Sequence, residues 1–207
     1  MKISHDISRV EAFSDGVFAF AATLMVVNID QSGSLFTLEN NWINFIAFGV
    51  SFFVLVALWW LHYNYFRRTD NVDNWTIVLN VILLFMILFF VFPLKSLIQT
   101  VFQEFKITQD ILASLFIQYS VGMLLIFLCL SLMYLRASQR VDDPQERKQL
   151  MYFASHFSIF VFVAIISIVL AFLQIGIRFG TPGFVFMLLG PLCYLHSVRF
   201  IKKHGVV

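Results

Sequence analysis

The sequence predicts an all-α, polytopic membrane protein with six transmembrane helices and both termini in the cytoplasm. Three observations lead there. Of the 207 residues, 60% are hydrophobic and 13% are charged. That is about half the charge of an ordinary soluble domain, too little polar surface to cover a globule of this size. Apolar runs of the length that crosses a hydrocarbon core, about 20 residues, recur along the chain. Alternation of apolar and polar residues is absent, which argues against a β-barrel, whereas helices satisfy their own backbone where there is no water. The composition excludes a soluble enzyme, a disordered tail and a collagen-like rod. A net charge of +2 makes no electrostatic footprint for nucleic acid.

Span 1 covers about 10–30, the usual length of a crossing. Ala19-Phe20-Ala21 mimics a signal-peptide cleavage site. Asp15 interrupts the apolar region, however, and hydrophobicity continues to Ile29, so the span is read as retained. A polar connection, 31–41, leads to span 2, about 42–63, whose end reads WWLHYNYFRR. Span 3, about 76–99, carries Asn80 near its start and Pro93 near its end; the proline predicts a kink or the outer end. The segment Lys95–Asp110 has apolar residues at helical spacing and reads as an interfacial helix or a simple connector. Span 4 covers about 111–135. Residues 136–149, RASQRVDDPQERKQ, form the only clearly soluble stretch, too short for a domain. Spans 5 and 6 cover about 150–173 and 182–200. No repeat relates the two halves, so residues 1–207 read as a single six-helix domain.

Of the 14 Lys and Arg residues, all but Lys95, Lys106 and Arg178 fall on the side of the two termini. The excess of Lys and Arg marks that side as cytoplasmic. Cys129 and Cys193 lie in apolar runs and make neither a disulfide framework nor a thiolate metal site. His156 and His196 sit near the cytoplasmic ends of spans 5 and 6, and read as interfacial histidines rather than as a metal or proton-shuttling pair. No nucleophile elbow, phosphate loop or zinc motif appears, so no enzyme, cofactor or resident metal is expected.

Span 1 carries the chemistry. Charged groups inside membrane helices are expensive, and Asp15 lies roughly 8 Å inside the span at 1.5 Å per residue. Antiparallel packing brings His62 of span 2 and Asn80 of span 3 to the same depth. Trp59 and His62, at i and i+3, share a face. A buried cluster of Ser14, Asp15, His62 and Asn80, with the Trp59 indole as donor, is expected to hold the helices together. A proton relay is the sharper alternative; one His and one Asp are too few ligands for a metal.

Gly16, Phe20, Thr23, Val27 and Asp30 follow a 4-3-4-3 spacing and form one seam along the helix. If several copies surrounded an axis, this seam would offer an apolar constriction, a hydroxyl and an acidic outer mouth. The alternative is an ordinary packing seam in which Thr23 bonds back to the carbonyl at position 19. Asp15 lies about 100° from Gly16 on a helix of 3.6 residues per turn and so faces the protein.

Arg9, Phe13, Ser14 and Asp15, in the pattern Arg-x-x-x-Phe-Ser-Asp in the first of six spans, resemble the signature of the transmembrane-protein-175 potassium channels. Asp-Gly-Val-Phe-Ala from Asp15 to Ala19, the Trp59 and His62 pair, and Asn80 are similar to its prokaryotic members. The resemblance implies a potassium-preferring channel without the usual Thr-Val-Gly-Tyr-Gly filter, in a prokaryotic plasma membrane. A single repeat implies a homotetramer whose pore is lined by span 1, with potassium ions, lipid and further copies of the chain as partners. It places the constriction at Phe20, with Thr23 and Val27 following it, and Asp30 at the outer mouth. Arg9, Phe13, Ser14 and Asp15, with Trp59, His62 and Asn80, would form the structural network. Phe20 departs from the family's usual Leu or Ile, Ala22 is smaller than usual, and Asn28 stands where an acidic residue is common. The reading from a different class is a proton-coupled transporter or proton-permeable channel using Asp15 and His62. Transporters usually show internal repeats and broken helices, and neither is evident in the sequence.

Overall fold

The computed structural model describes residues 7–27, 38–69, 72–102 and 108–205. Among these, regular structure is helical throughout: α1 (Ile7–Val27), α2 (Leu38–Arg68), α3 (Asn74–Phe102), α4 (Gln109–Ser138) and α5 (Pro144–Phe172). The chain continues through a 3-10 turn at Ile177–Phe179, α6 (Thr181–Phe184), a 3-10 turn at Val185–Leu188 and α7 (Leu189–His204). Five stretches among the described residues are long and apolar enough to cross a membrane: Phe45–Arg68, Asn74–Ile98, Gln109–Ser138, Pro144–Phe172 and Thr181–Lys203. The 21 residues of α1 reach about 31 Å. With five or six apolar helices, this is the architecture of a multi-pass membrane protein.

Three boundaries differ from the sequence expectation. Pro93 does not end its helix: α3 runs past it to Phe102 and takes in Lys95. The stretch 136–149 is largely absorbed by its neighbours. Asp143 caps α5 by accepting from the backbone N–H groups of Gln145 and Glu146, and Pro144 occupies the first turn, where its missing N–H costs nothing. The sixth span is a composite of α6, a 3-10 turn and α7 rather than one continuous helix. Its entry is a reversal in which Gly176 and Gly180 adopt left-handed φ angles of 63° and 68°. A β-carbon at Gly176 would also collide with Thr181.

α4 and α5 form an antiparallel hairpin. Its seam is tied by hydroxyl pairs, Ser120 to Ser167 at 2.7 Å and Ser131 to Ser158 at 2.9 Å, with Phe127 stacked on Phe160 between them. Small residues allow such close approach, and hydroxyls bond across where no water competes. α3 packs on α4, with Gly122 set directly against the Phe90 ring. α1 packs against α2 and α3.

Asp73, in the connection before α3, is an anchor that sequence reading passed over as loop. Its carboxylate accepts from the Thr76 backbone N–H (2.9 Å) and hydroxyl (2.6 Å), and pairs with Arg136 (3.2 Å) and Arg140 (2.6 Å) of the α4 end. The signal was Asp-x-x-Thr at a helix start, a capping pattern. Partial burial pushes the Asp73 carboxyl up. The Thr76 bonds and the two arginines outweigh that and hold it below the ordinary carboxylate value. Its contribution to stability is therefore full above the unfolded carboxylate pKa of about 3.9, and fades as pH falls through the lower folded value. Asp73→Ala is expected to lose about 0.5–2 kcal/mol from the cap alone. Asp73→Asn should flatten the acid dependence of thermal unfolding.

Candidate functional site

α1 presents two opposite faces. Ser14, Phe18, Ala21 and Met25 are buried in the subunit. Their 4-3-4 spacing makes one stripe. About 200° around the helix, at 100° per residue, a second stripe is exposed. It runs Arg9, Phe13, Gly16, Phe20, Thr23, with Phe13 63% and Phe20 56% accessible. Among the described residues, nothing beyond the neighbouring backbone of α1 lies within 4 Å of where a Gly16 side chain would begin. The Thr23 hydroxyl donates to the Phe20 carbonyl at 2.7 Å, one residue later than the expected position 19. Asp30 and the side chain of Val27 lie outside the described residues.

Behind the buried face runs a hydrogen-bonded chain. The Ser14 hydroxyl donates to the Val10 carbonyl at 2.8 Å. Its oxygen then accepts from Asn80 Nδ2 at 3.0 Å. With the amide nitrogen so committed, Asn80 Oδ1 faces His62 Nε2 at 2.7 Å, so Nε2 carries the hydrogen. The whole chain is dry: Ser14 is 0% exposed, and His62 and Asn80 are 1% exposed. The His62 ring is clamped between Phe18 of α1 and Phe66 of its own helix, with ring centroids 5.4 and 4.9 Å away. Asp15 lies outside this chain, on an exposed flank of α1. Its carboxylate accepts from the Trp59 indole at 2.8 Å. Asp15 and His62 thus sit in separate bonds. Together these contacts fix α1 against α2 and α3.

The structure joins Ser14, His62 and Asn80, and separately Asp15 and Trp59, but leaves Arg9 and Phe13 out. Both were grouped with the network on the resemblance. Their spacing, 4 and then 3 residues ahead of Gly16, instead puts them on the exposed stripe. The same periodicity that marked the seam, carried one turn further toward the N-terminus, would have placed them there.

Residues 9–91 match the family described as endosomal/lysosomal potassium channel TMEM175. A relative from Streptomyces collinus, named a potassium channel, is 31% identical over 156 residues, covering 70% of this chain and 75% of the relative. The chain belongs to the TMEM175 family. A second relative, from Marivirga tractuosa and also named a potassium channel, is 36% identical over 148 residues, 63% of this chain. That match spans 59% of the Marivirga protein's length. The fold resembles a crystal structure of the potassium channel MtTMEM175, a threonine-to-alanine variant bound to a nanobody–MBP fusion. The TM-score is 0.77 at 27% identity, covering 94% of this chain and 93% of that one. A TMEM175 homolog from Chamaesiphon minutus shares the fold at a TM-score of 0.63 and 21% identity, covering 94% of this chain and 97% of that one. The segment that matches the TMEM175 family contains both faces of α1 and their partners Trp59, His62 and Asn80.

Proposed function

We propose that this TMEM175-family chain is the subunit of a potassium-conducting channel, a single six-helix domain over residues 1–207 that assembles as a homotetramer around α1. One observation carries the reading. The exposed stripe of α1 holds Arg9, Gly16 and Thr23 beside Phe13 and Phe20. A cation and a hydroxyl on the outward face of an apolar helix are poor company for lipid, and suit a face turned to other copies and to water. Both named relatives are potassium channels, which supports potassium as the ion.

In this reading Phe20 forms the dry constriction. Thr23 and Val27 follow it toward the outer mouth at Asp30. The Ser14–Asn80–His62 chain and the Asp15–Trp59 bond brace α1 from behind. The termini face the cytoplasm of a prokaryotic cell. The alternative proton-coupled carrier is supported less, because Asp15 and His62 are each engaged with a different partner and no bond joins them.

The test is flux from liposomes holding the purified protein under a potassium gradient, with sodium and proton gradients run in parallel. Potassium flux above sodium flux is expected. Proton flux without potassium flux would favour the carrier. Only monomers in a mass measurement in detergent would count against the tetramer.

A further inference from the structure

The groove between α5 and α7 is used by nothing described so far. It encloses about 660 Å³. Its deeper part is apolar, lined by Ile159 and Phe162 of α5 and by Leu192 and Leu195 of α7. Its other end is basic, with Arg199 and Lys203 on its rim. Among the described residues no acidic side chain lines it, and the ion pairs found there involve neither cation.

The helix register sets this polarity. Along α7, positions 192, 195, 199 and 203 recur at 3 and 4 residues and form one stripe. From Leu192 to Lys203 that stripe spans about 16 Å, close to one leaflet's hydrocarbon depth. The basic end lies beside Tyr152, whose ring meets Phe200 and whose hydroxyl pairs with Ser197, in the early turns of α5 and near the loop that joins it to α4. The apolar end runs toward the middle of the span. The sixth span leaves this space because it packs lightly. Its most apolar stretch buries no residue inside the fold, and its N-terminal part is broken into α6 and a 3-10 turn.

We infer that this groove is a binding site for an anionic phospholipid of the surrounding bilayer, with an acyl chain along Ile159, Phe162, Leu192 and Leu195 and the phosphate headgroup held by Arg199 and Lys203. Three features select a lipid over a second copy of the chain. The groove is graded along the membrane normal from charged to apolar, as a phospholipid is. Its cations stand at headgroup level, where long basic side chains reach the interface. Its described walls supply no carboxylate to balance those cations, so an anion from outside completes the site.

The experiment is native mass spectrometry of the purified protein in mixed micelles of phosphatidylglycerol and phosphatidylcholine. The wild type should retain phosphatidylglycerol several-fold over phosphatidylcholine. R199Q/K203Q should reduce retention of phosphatidylglycerol to the phosphatidylcholine level. L195W, which fills the groove and keeps both cations, should do the same by a separate route. K148Q, which removes an exposed cation outside the groove, should leave retention unchanged. Helical circular dichroism and the elution volume confirm the fold of each variant, and either groove variant alone suffices if the other misfolds. Equal retention of the two lipids by the wild type, or undiminished phosphatidylglycerol on a folded groove variant, overturns the proposal. So does efficient disulfide linkage of two copies through Ser155→Cys, which would give the groove to a neighbouring subunit.

Discussion

Phe20→Ala is expected to raise basal potassium flux several-fold and to blunt the discrimination between potassium and sodium. Phe20 stands on the exposed stripe of α1, on the side away from Ser14, Phe18 and Ala21. Its side chain is 56% accessible in the subunit, so truncation removes little of the subunit's own packing. Four such rings around an axis would leave a narrow apolar throat, and water is poorly held between apolar walls. Shortening the ring to a methyl group opens and wets that throat. Phe20→Leu restores the residue type usual at the matching family position and should still conduct with selectivity. Thr23→Ala should change selectivity more than basal flux. Its hydroxyl lies about one turn from Phe20 and is bonded only locally, to the Phe20 carbonyl. The readout is liposome flux in paired potassium and sodium gradients. If Phe20→Ala changes neither quantity while a substitution on another helix changes both, α1 does not line the path.

Asn80→Ala should markedly destabilise the subunit. Asn80 is the middle link of a buried chain, donating to Ser14 and accepting from His62. Its removal strands the His62 N–H in a dry site and takes away the donor to Ser14. Leaving a buried polar group unpaired costs about 1–3 kcal/mol. For a chain of this length that corresponds to a melting temperature lower by about 2–4 °C per kcal/mol. Asn80→Asp keeps an acceptor for His62 but loses the donor to Ser14, so it should fall between alanine and wild type in cost. Thermal unfolding in detergent measures the loss. A double-mutant cycle with Ser14→Ala tests the linkage, since residues sharing one network are non-additive. Additive losses would show that Ser14 and Asn80 act independently. Arg9→Ala is expected to leave the melting temperature of the isolated subunit nearly unchanged, because Arg9 is exposed and outside the network. Its effect should appear in assembly.

What was legible in the sequence followed from periodicity and depth. The apolar runs located the helices, because membrane thickness sets their length. Equal depth in antiparallel neighbours suggested that Ser14, Asp15, His62 and Asn80 would meet in one cluster; Ser14, Asn80 and His62 do, whereas Asp15 bonds Trp59 apart from them. Asp73 was missed because its partners, Arg136 near the end of α4 and Arg140 in the turn after it, are distant in sequence. Arg9 and Phe13, grouped with the network only by the resemblance, are exposed in the subunit, where helical phase puts them on the outward stripe.

The sequence by itself determined the class of the protein, the order of its helices and the seam of α1 that begins at Gly16, because these depend on composition and on a fixed repeat along one chain. The tertiary structure alone decided that Phe18, Ala21 and Met25 are buried beside Ser14 while Asp15 is left outside on the Trp59 indole, since that depends on how α2 and α3 pack against α1. It also decided the tautomer of His62, the passage of α3 beyond Pro93 and the broken sixth span. Each of these depends on which groups from other elements arrive at hydrogen-bonding or packing distance, and a linear pattern does not encode that.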